Sequence, residues 1–179
     1  VNLSQLTAQR CKRIYNKFFL LYLSRVKYCI NTIIEIIMKT IGLIGGTGWV
    51  STLEYYRLIN EETNKRLGGH NAARCLIYSF NYADINECNL REDHEGVYKL
   101  VLDATRKLKN ASADFIVLGA NTLHQYVDRL IEEVKLPIVH IADATAFEIK
   151  KLGLSTIGLL GTKFTMEMDF YTMRLNDAG

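Results

Sequence analysis

The sequence is poor in residues that interrupt or staple a chain. A single proline in 179 residues excludes collagen-like, proline-rich and linker-type chains. The four cysteines form no C-x-x-C pair and no Cys/His spacing of a metal site, so neither a disulfide framework nor a zinc module is indicated. Nothing marks an oxidising compartment, and a reducing cytoplasm is the expected location. No apolar run approaches the ~20 residues that span a bilayer. No basic stripe interleaved with aromatics points to nucleic acid. What remains is 49% hydrophobic and 23% charged, the composition of a globular chain. The length suits one domain or slightly more.

The formal net charge of +3 is unevenly spread. Residues 1–37 carry six basic side chains and one acid, Glu35, a net of +5. Residues 38–179 then carry a net of −2. Such asymmetry suggests a basic arm or a foreign segment. Three readings compete for it. Phe18 to Leu23 follows four basic residues, loosely like a signal peptide, but Ser24-Arg25-Val26-Lys27 interrupts the run and no small-residue cleavage site follows. A membrane-surface helix would place Phe18, Phe19, Tyr22 and Val26 on one face. The favoured reading is an extension outside the fold, because Met38 opens a strongly patterned strand.

From Met38 onward the pattern alternates. Strands are predicted at Thr40–Gly46, Cys75–Phe80, Asp114–Leu118, Pro137–Ile141 and Thr156–Gly161. Helices are predicted from Ser51 or Thr52, as caps, to Leu67, over Asp93–Ala111, over Asn121–Val134 and over Ala144–Leu152. Alternation of this kind implies an α/β fold, a doubly wound parallel sheet with helices on both faces. Ligands in such sheets sit beyond the carboxyl ends of the strands. Polar residues gather at those ends.

An internal echo accompanies the alternation. Ile41-Gly42-Leu43-Ile44-Gly45 returns as Ile157-Gly158-Leu159-Leu160-Gly161, and Glu54-Tyr55-Tyr56 as Asp169-Phe170-Tyr171. This suggests a duplicated α/β lobe. The expected organisation is an extension at 1–37, a first lobe at 38–150 and the start of a second lobe at 151–179. A second lobe only begun would leave Ile157, Leu159 and Leu160 to borrow the first lobe or stay exposed.

The first strand-to-helix turn, Gly45-Gly46-Thr47-Gly48-Trp49-Val50-Ser51, exposes backbone N–H groups at a helix start, which suits phosphate or carboxylate. As a dinucleotide fingerprint it is weak. Ser51 takes the third glycine position, and the second strand ends in Ser79-Phe80-Asn81 without the required acid. A turn needing glycine for geometry alone is the plain alternative. Asn121-Thr122 and Thr162-Lys163-Phe164-Thr165 repeat the theme at later strand ends, and Lys163 offers a cation. Either of Asn121 and Thr122 could instead cap a helix. His124 and His140 are candidate bases, though a satisfied core or cap histidine is the commoner role. Cys75 reads as a buried, inert thiol.

Six segments together resemble the aspartate/glutamate racemase family. They are Met38-Lys39-Thr40-Ile41-Gly42-Leu43-Ile44-Gly45-Gly46, Ser51-Thr52-x-Glu54-Tyr55-Tyr56, Ala113-Asp114-Phe115-Ile116-Val117-Leu118, Asn121-Thr122-x-His124, His140-Ile141-Ala142-Asp143-Ala144-Thr145 and Gly158-Leu159-Leu160-Gly161-Thr162-x-Phe164-Thr165-Met166. The resemblance covers 38–179 and none of 1–37. It implies two similar lobes with the site between them, a small acidic amino acid as substrate, and inversion of its α-carbon without a cofactor. It allows a homodimer. Such chemistry needs one group to take the α-proton from one face and another to return it on the opposite face, work the family gives to two cysteines. Thr47, Ser51, Thr52, Asn121, Thr122, Thr162, Lys163 and Thr165 are the implied substrate-binding set. Here the chain departs from the pattern. The first cysteine position falls at Gly119 or Ala120, and the second belongs to a Gly-Cys-Thr motif not reached by Gly179. The expectation is a racemase by resemblance that does not turn over as this chain. The alternatives are a non-catalytic fragment that binds a small carboxylate and, less favoured, a Rossmann-type nucleotide-binding protein.

Overall fold

The computed structural model describes residues 38–159 and 163–179. The extension at 1–37, the echo residues Leu160 and Gly161, and the candidate Thr162 lie outside the described residues, as does the side chain of Lys163. Lys39–Gly179 form one compact unit.

Four parallel strands form its centre: β1 (Ile41–Gly45), β2 (Cys75–Ser79), β3 (Phe115–Leu118) and β4 (Ile138–Val139). Their spatial order is β2-β1-β3-β4. Helices α1 (Trp49–Leu67), α2 (Tyr82–Leu90), α3 (His94–Asn110), α4 (Val127–Val134) and α5 (Ile141–Lys151) connect and follow them. A 3-10 turn, Asn121–Tyr126, precedes α4, and α6 (Lys163–Glu167) and α7 (Asp169–Asp177) complete the described chain. The fold is α/β with a parallel sheet, as the alternation predicts.

Register explains the core. Ile44 pairs with Tyr78 on one side and Leu118 on the other, so these three share a face. Ile44, Ile116 and Leu118 are at most 1% exposed. Against that face α3 lays Val97, Val101, Ala104 and Leu108, all buried at helical spacing. Each valine or leucine among them contributes about 1.5–3 kcal/mol on burial. The start of α3 is set by Asp93, whose carboxylate accepts the Gly96 N–H at 2.7 Å. Its outer side is clamped to α4. Arg129 meets Glu95 at 3.0 Å and lies 3.6 Å over the Tyr98 ring, and the Tyr98 hydroxyl donates to Glu133 at 2.7 Å.

Several predicted elements differ in the structure. No strand forms over Thr156–Leu159. The sheet order ends at β4, and this segment pairs with none of its strands, so it lacks the ladder of backbone partners that stabilises an extended chain. Ile157 stays 43% exposed. Helix α2 was not predicted; its Asn-rich sequence has a weak pattern, and only Ile85 and Cys88 are buried. The helix predicted over Asn121–Val134 divides into the 3-10 turn and α4. Helix α5 begins at Ile141 rather than Ala144, because the His140 side chain accepts the Ala142 N–H and caps it. Helix α1 begins at Trp49, so Ser51 and Thr52 lie inside it and do not cap it.

The close approach at the end of β1 carries a prediction. Gly46 has φ +89°, and a Cβ there would lie 2.3 Å from both the N and O of Phe80. Gly46→Ala is expected to lower unfolding stability by about 2 kcal/mol or more. Gly158→Ala, with nothing within 4 Å, is expected to change it by less than about 0.5 kcal/mol. Urea denaturation of both variants checks this.

Candidate functional site

The chain runs from β1 outward to β2, then crosses back to β3 on the other side of β1. The switch point therefore falls between β1 and β3, the place where sheets of this kind receive ligands beyond the strand ends. Two turns meet there. The Gly119 N–H donates to the Ile44 carbonyl at 2.7 Å, tying them together.

The first turn is held by one hydroxyl. Thr52 Oγ1 accepts the Gly46 N–H at 2.9 Å and donates to the Gly48 carbonyl at 3.2 Å. A Cβ on Gly45 would lie 2.3 Å from that oxygen, so the residue must be glycine for the helix to start this close. The Ser51 hydroxyl donates to the same Gly48 carbonyl at 2.7 Å. No side chain caps α1. Its first N–H groups, from Trp49 onward, are thus available to an anion.

The second turn contains Asn121, exposed, and Thr122, half-buried. Gln125 Nε2 donates to the Thr122 carbonyl at 2.8 Å. Neither Asn121 nor Thr122 side chain caps the turn. Of the remaining candidates, Thr47 is half-buried, Thr52 is buried within the first turn, and Thr165 is buried on α6, which packs against the 3-10 turn.

The two positions implied for a cysteine are not equivalent. A Cβ at Gly119 would lie 3.1 Å from the Ile44 carbonyl oxygen and 3.6 Å from Gly45 Cα. Ala120 is half-buried and already accommodates a Cβ. The cysteines of the fold lie elsewhere. Cys75 pairs with Ile41 at the opposite end of the sheet, and burial raises its thiol pKa. Cys88 is buried on α2.

Beside the switch point, at the ends of β3 and β4, is a cleft of about 530 Å³ lined by His124, His140, Asp128, Asp143, Phe170 and Arg174 among others. Both imidazoles are 3% exposed, and their rings meet edge-to-face at 4.9 Å. His124 Nδ1 lies 3.0 Å from the Ala120 carbonyl oxygen and 3.2 Å from that of Asn121. Burial lowers the His124 pKa, opposed by the backbone of Ala120, Asn121 and Val139. Burial, with help from His124 and Arg174, lowers that of His140 to about 4. Both are neutral at pH 7, and as His140 caps α5, the pair is built into the fold. Arg174 bridges Asp128 on α4 and Asp143 on α5. Sequence reasoning gave no signal for that bridge, since its partners are 46 and 31 residues away. Among the described residues no group of three or more His, Cys, Asp or Glu could hold a metal, and no helix is long and apolar enough to cross a membrane.

With this geometry in view, comparison with known proteins is informative. The family described as Asp/Glu/Hydantoin racemase matches residues 44–179. The chain belongs to this family. It is 29% identical over 145 residues to the broad specificity amino-acid racemase RacX of Bacillus subtilis (strain 168), across 78% of this chain and 61% of that protein. Among solved structures it is similar to a candidate Asp/Glu racemase from Yersinia pestis, with 43% identity and a TM-score of 0.74 over 78% of this chain and 61% of that one. It is also similar to PH1733, an aspartate racemase homologue from Pyrococcus horikoshii OT3, with 39% identity and a TM-score of 0.72 over 79% and 62%. The chain thus spans about three fifths of the length of these relatives. Family membership extends the predicted resemblance to the fold as well as the motifs.

Two outcomes are expected of this racemase-family chain. An unfolded histidine has its pKa near 6.5 and folded His140 near 4, so the unfolded state binds the proton first. The associated stability is fully present above about pH 6.5 and is lost as pH falls toward 4, by up to about 3 kcal/mol. Urea midpoints across that range check it, and His140→Asn should flatten the dependence. Separately, Gly119→Cys should destabilise by about 1–2 kcal/mol, whereas Ala120→Cys should fold as the native chain does. Thermal melts of the two variants decide between the positions.

Proposed function

We propose that the switch point between β1 and β3 binds a small acidic amino acid in the manner of an aspartate/glutamate racemase, without a cofactor. The observation that carries this reading is the uncapped N-terminus of α1 beside the Asn121–Thr122 turn at the switch point. Helix N–H groups and the positive end of the helix favour a carboxylate. Thr47, Ser51, Asn121 and Thr122 supply side-chain hydroxyls and an amide around it. Thr52 acts indirectly, by holding the turn. By resemblance Thr162, Lys163 and Thr165 belong to the substrate-binding set, with Lys163 as a cation for a substrate carboxylate. On this reading 38–150 is the first lobe and 151–179 opens the second.

The reaction needs a base on each face of the α-carbon. By resemblance position 120 is one of the two places for the first base; it stands half-buried at the start of the second turn, and there the chain has alanine. A methyl group neither takes nor returns a proton. The reading therefore separates binding from turnover: the carboxylate is held, and no proton is exchanged from the β3 side.

Titration of the 15N-labelled chain with L- and D-aspartate tests both parts. The amides of Trp49, Val50, Ser51, Asn121 and Thr122 should shift with either enantiomer, and Asn121→Ala should weaken binding about tenfold. Absence of these shifts overturns the site. Aspartate held in D₂O with the chain should keep its α-hydrogen, and measurable exchange would refute the argument from position 120.

A further inference from the structure

The two buried histidines beside the switch point do more than fill the core. His124 Nδ1 faces two carbonyl oxygens, of Ala120 at 3.0 Å and Asn121 at 3.2 Å. Carbonyls only accept, and two of them face Nδ1 against the single backbone contact of the ring with Val139, so Nδ1 carries the proton. His140 is the reverse. Its Nδ1 accepts the Ala142 N–H at 3.1 Å, so its proton sits on Nε2. That atom is buried and has no hydrogen-bond partner among the described residues. A buried donor left unmatched is uncommon and calls for a reason. The ring is held anyway, by the cap it forms and by its edge-to-face contact with His124 at 4.9 Å. Around the pair stand Asp128 on α4, Asp143 on α5, and Phe170 and Arg174 on α7. Arg174 joins the two aspartates across the pair.

We infer that His124 and His140 are positioning residues for the Asn121–Thr122 turn, acting as neutral imidazoles in opposite tautomers. His124 fixes the turn by tying the two carbonyls at its start. His140 fixes the first residues of α5 and braces the His124 ring from the end of β4. Neither touches the ligand. The consequence for ligand affinity rests on the proposed acidic amino-acid site; the tautomers and the turn geometry do not.

Histidine-selective 15N NMR on the full chain at pH 7 reads the tautomers directly. The expected result is Nδ1–H for His124 and Nε2–H for His140. The same tautomer in both, or an imidazolium at His124, overturns the inference. Four variants separate the ring positions. An asparagine amide overlays Nδ1, and a glutamine amide reaches Nε2. His124→Asn keeps a donor at Nδ1 and His140→Asn keeps an acceptor there, so both should leave the Asn121 and Thr122 amide shifts near native. His124→Gln and His140→Gln should displace them. Aspartate affinity should stay within about threefold for the asparagine variants and fall about tenfold or more for the glutamine variants. Equal amide shifts in the Asn and Gln variants would overturn the positioning role. If the native chain bound no aspartate, the proposed site would fall, while the tautomers and amide shifts would still decide this inference.

Discussion

The end of β1 tolerates no side chain. Gly45 lies against the Thr52 hydroxyl and Gly46 against the Phe80 backbone, each with room for a hydrogen where a Cβ would collide at 2.3 Å. That closeness has a chain of effects. It lets one hydroxyl take the Gly46 N–H and return a bond to the Gly48 carbonyl. It starts α1 at Trp49, immediately over the strand end. It brings the Phe80 N–H onto the Gly45 carbonyl at 3.0 Å, aligning β2. The free helix amides therefore emerge at the switch point, where an α/β sheet can receive a carboxylate.

A second layer of order surrounds the other turn. The imidazole pair, the α5 cap and the Arg174 bridge tie the ends of β3 and β4 to α4, α5 and α7. The exposed ion pairs in this layer contribute little individually. Their effect lies in geometry: Arg174 joins α7 to α4 and α5 beside the two buried histidines. Position 120 has a place for a side chain and carries alanine, while position 119 is pressed against Ile44. The family resemblance left those two positions as equals, and packing separates them.

Much of the fold was legible because it depends on local pattern. The apolar run before Gly45-Gly46 reads as a buried parallel strand, and Val97, Val101, Ala104 and Leu108 read as one helix face. These segments look the same whatever surrounds them. Elements that depend on neighbours were not legible. The run at Thr156–Leu159 has the composition of a strand, but a strand needs a paired ladder, and this run pairs with no strand of the sheet. Helix α2 has a poor pattern and forms against α3 through only Ile85 and Cys88. Ser51 and Thr52 looked like caps by type and position. Their hydroxyls serve the Gly48 carbonyl instead, because the tight turn puts the cap at Gly48, three or four residues upstream.

The amino-acid sequence by itself determined the α/β alternation, the glycine turn at the first strand end and the absence of cysteine at 119 and 120. These follow from side-chain type and spacing along one chain. Tertiary structure alone decided which turns meet, because the crossover from β2 to β3 sets Gly45 beside Gly119. It alone put His124 and His140 in edge contact and buried them as neutral rings. Arg174 reached Asp128 and Asp143 only through the packing of α7 on α5. Such contacts join residues tens of positions apart, and no local periodicity records them. Desolvation, which sets the protonation of the histidine pair, likewise exists only once the surrounding elements have closed over it.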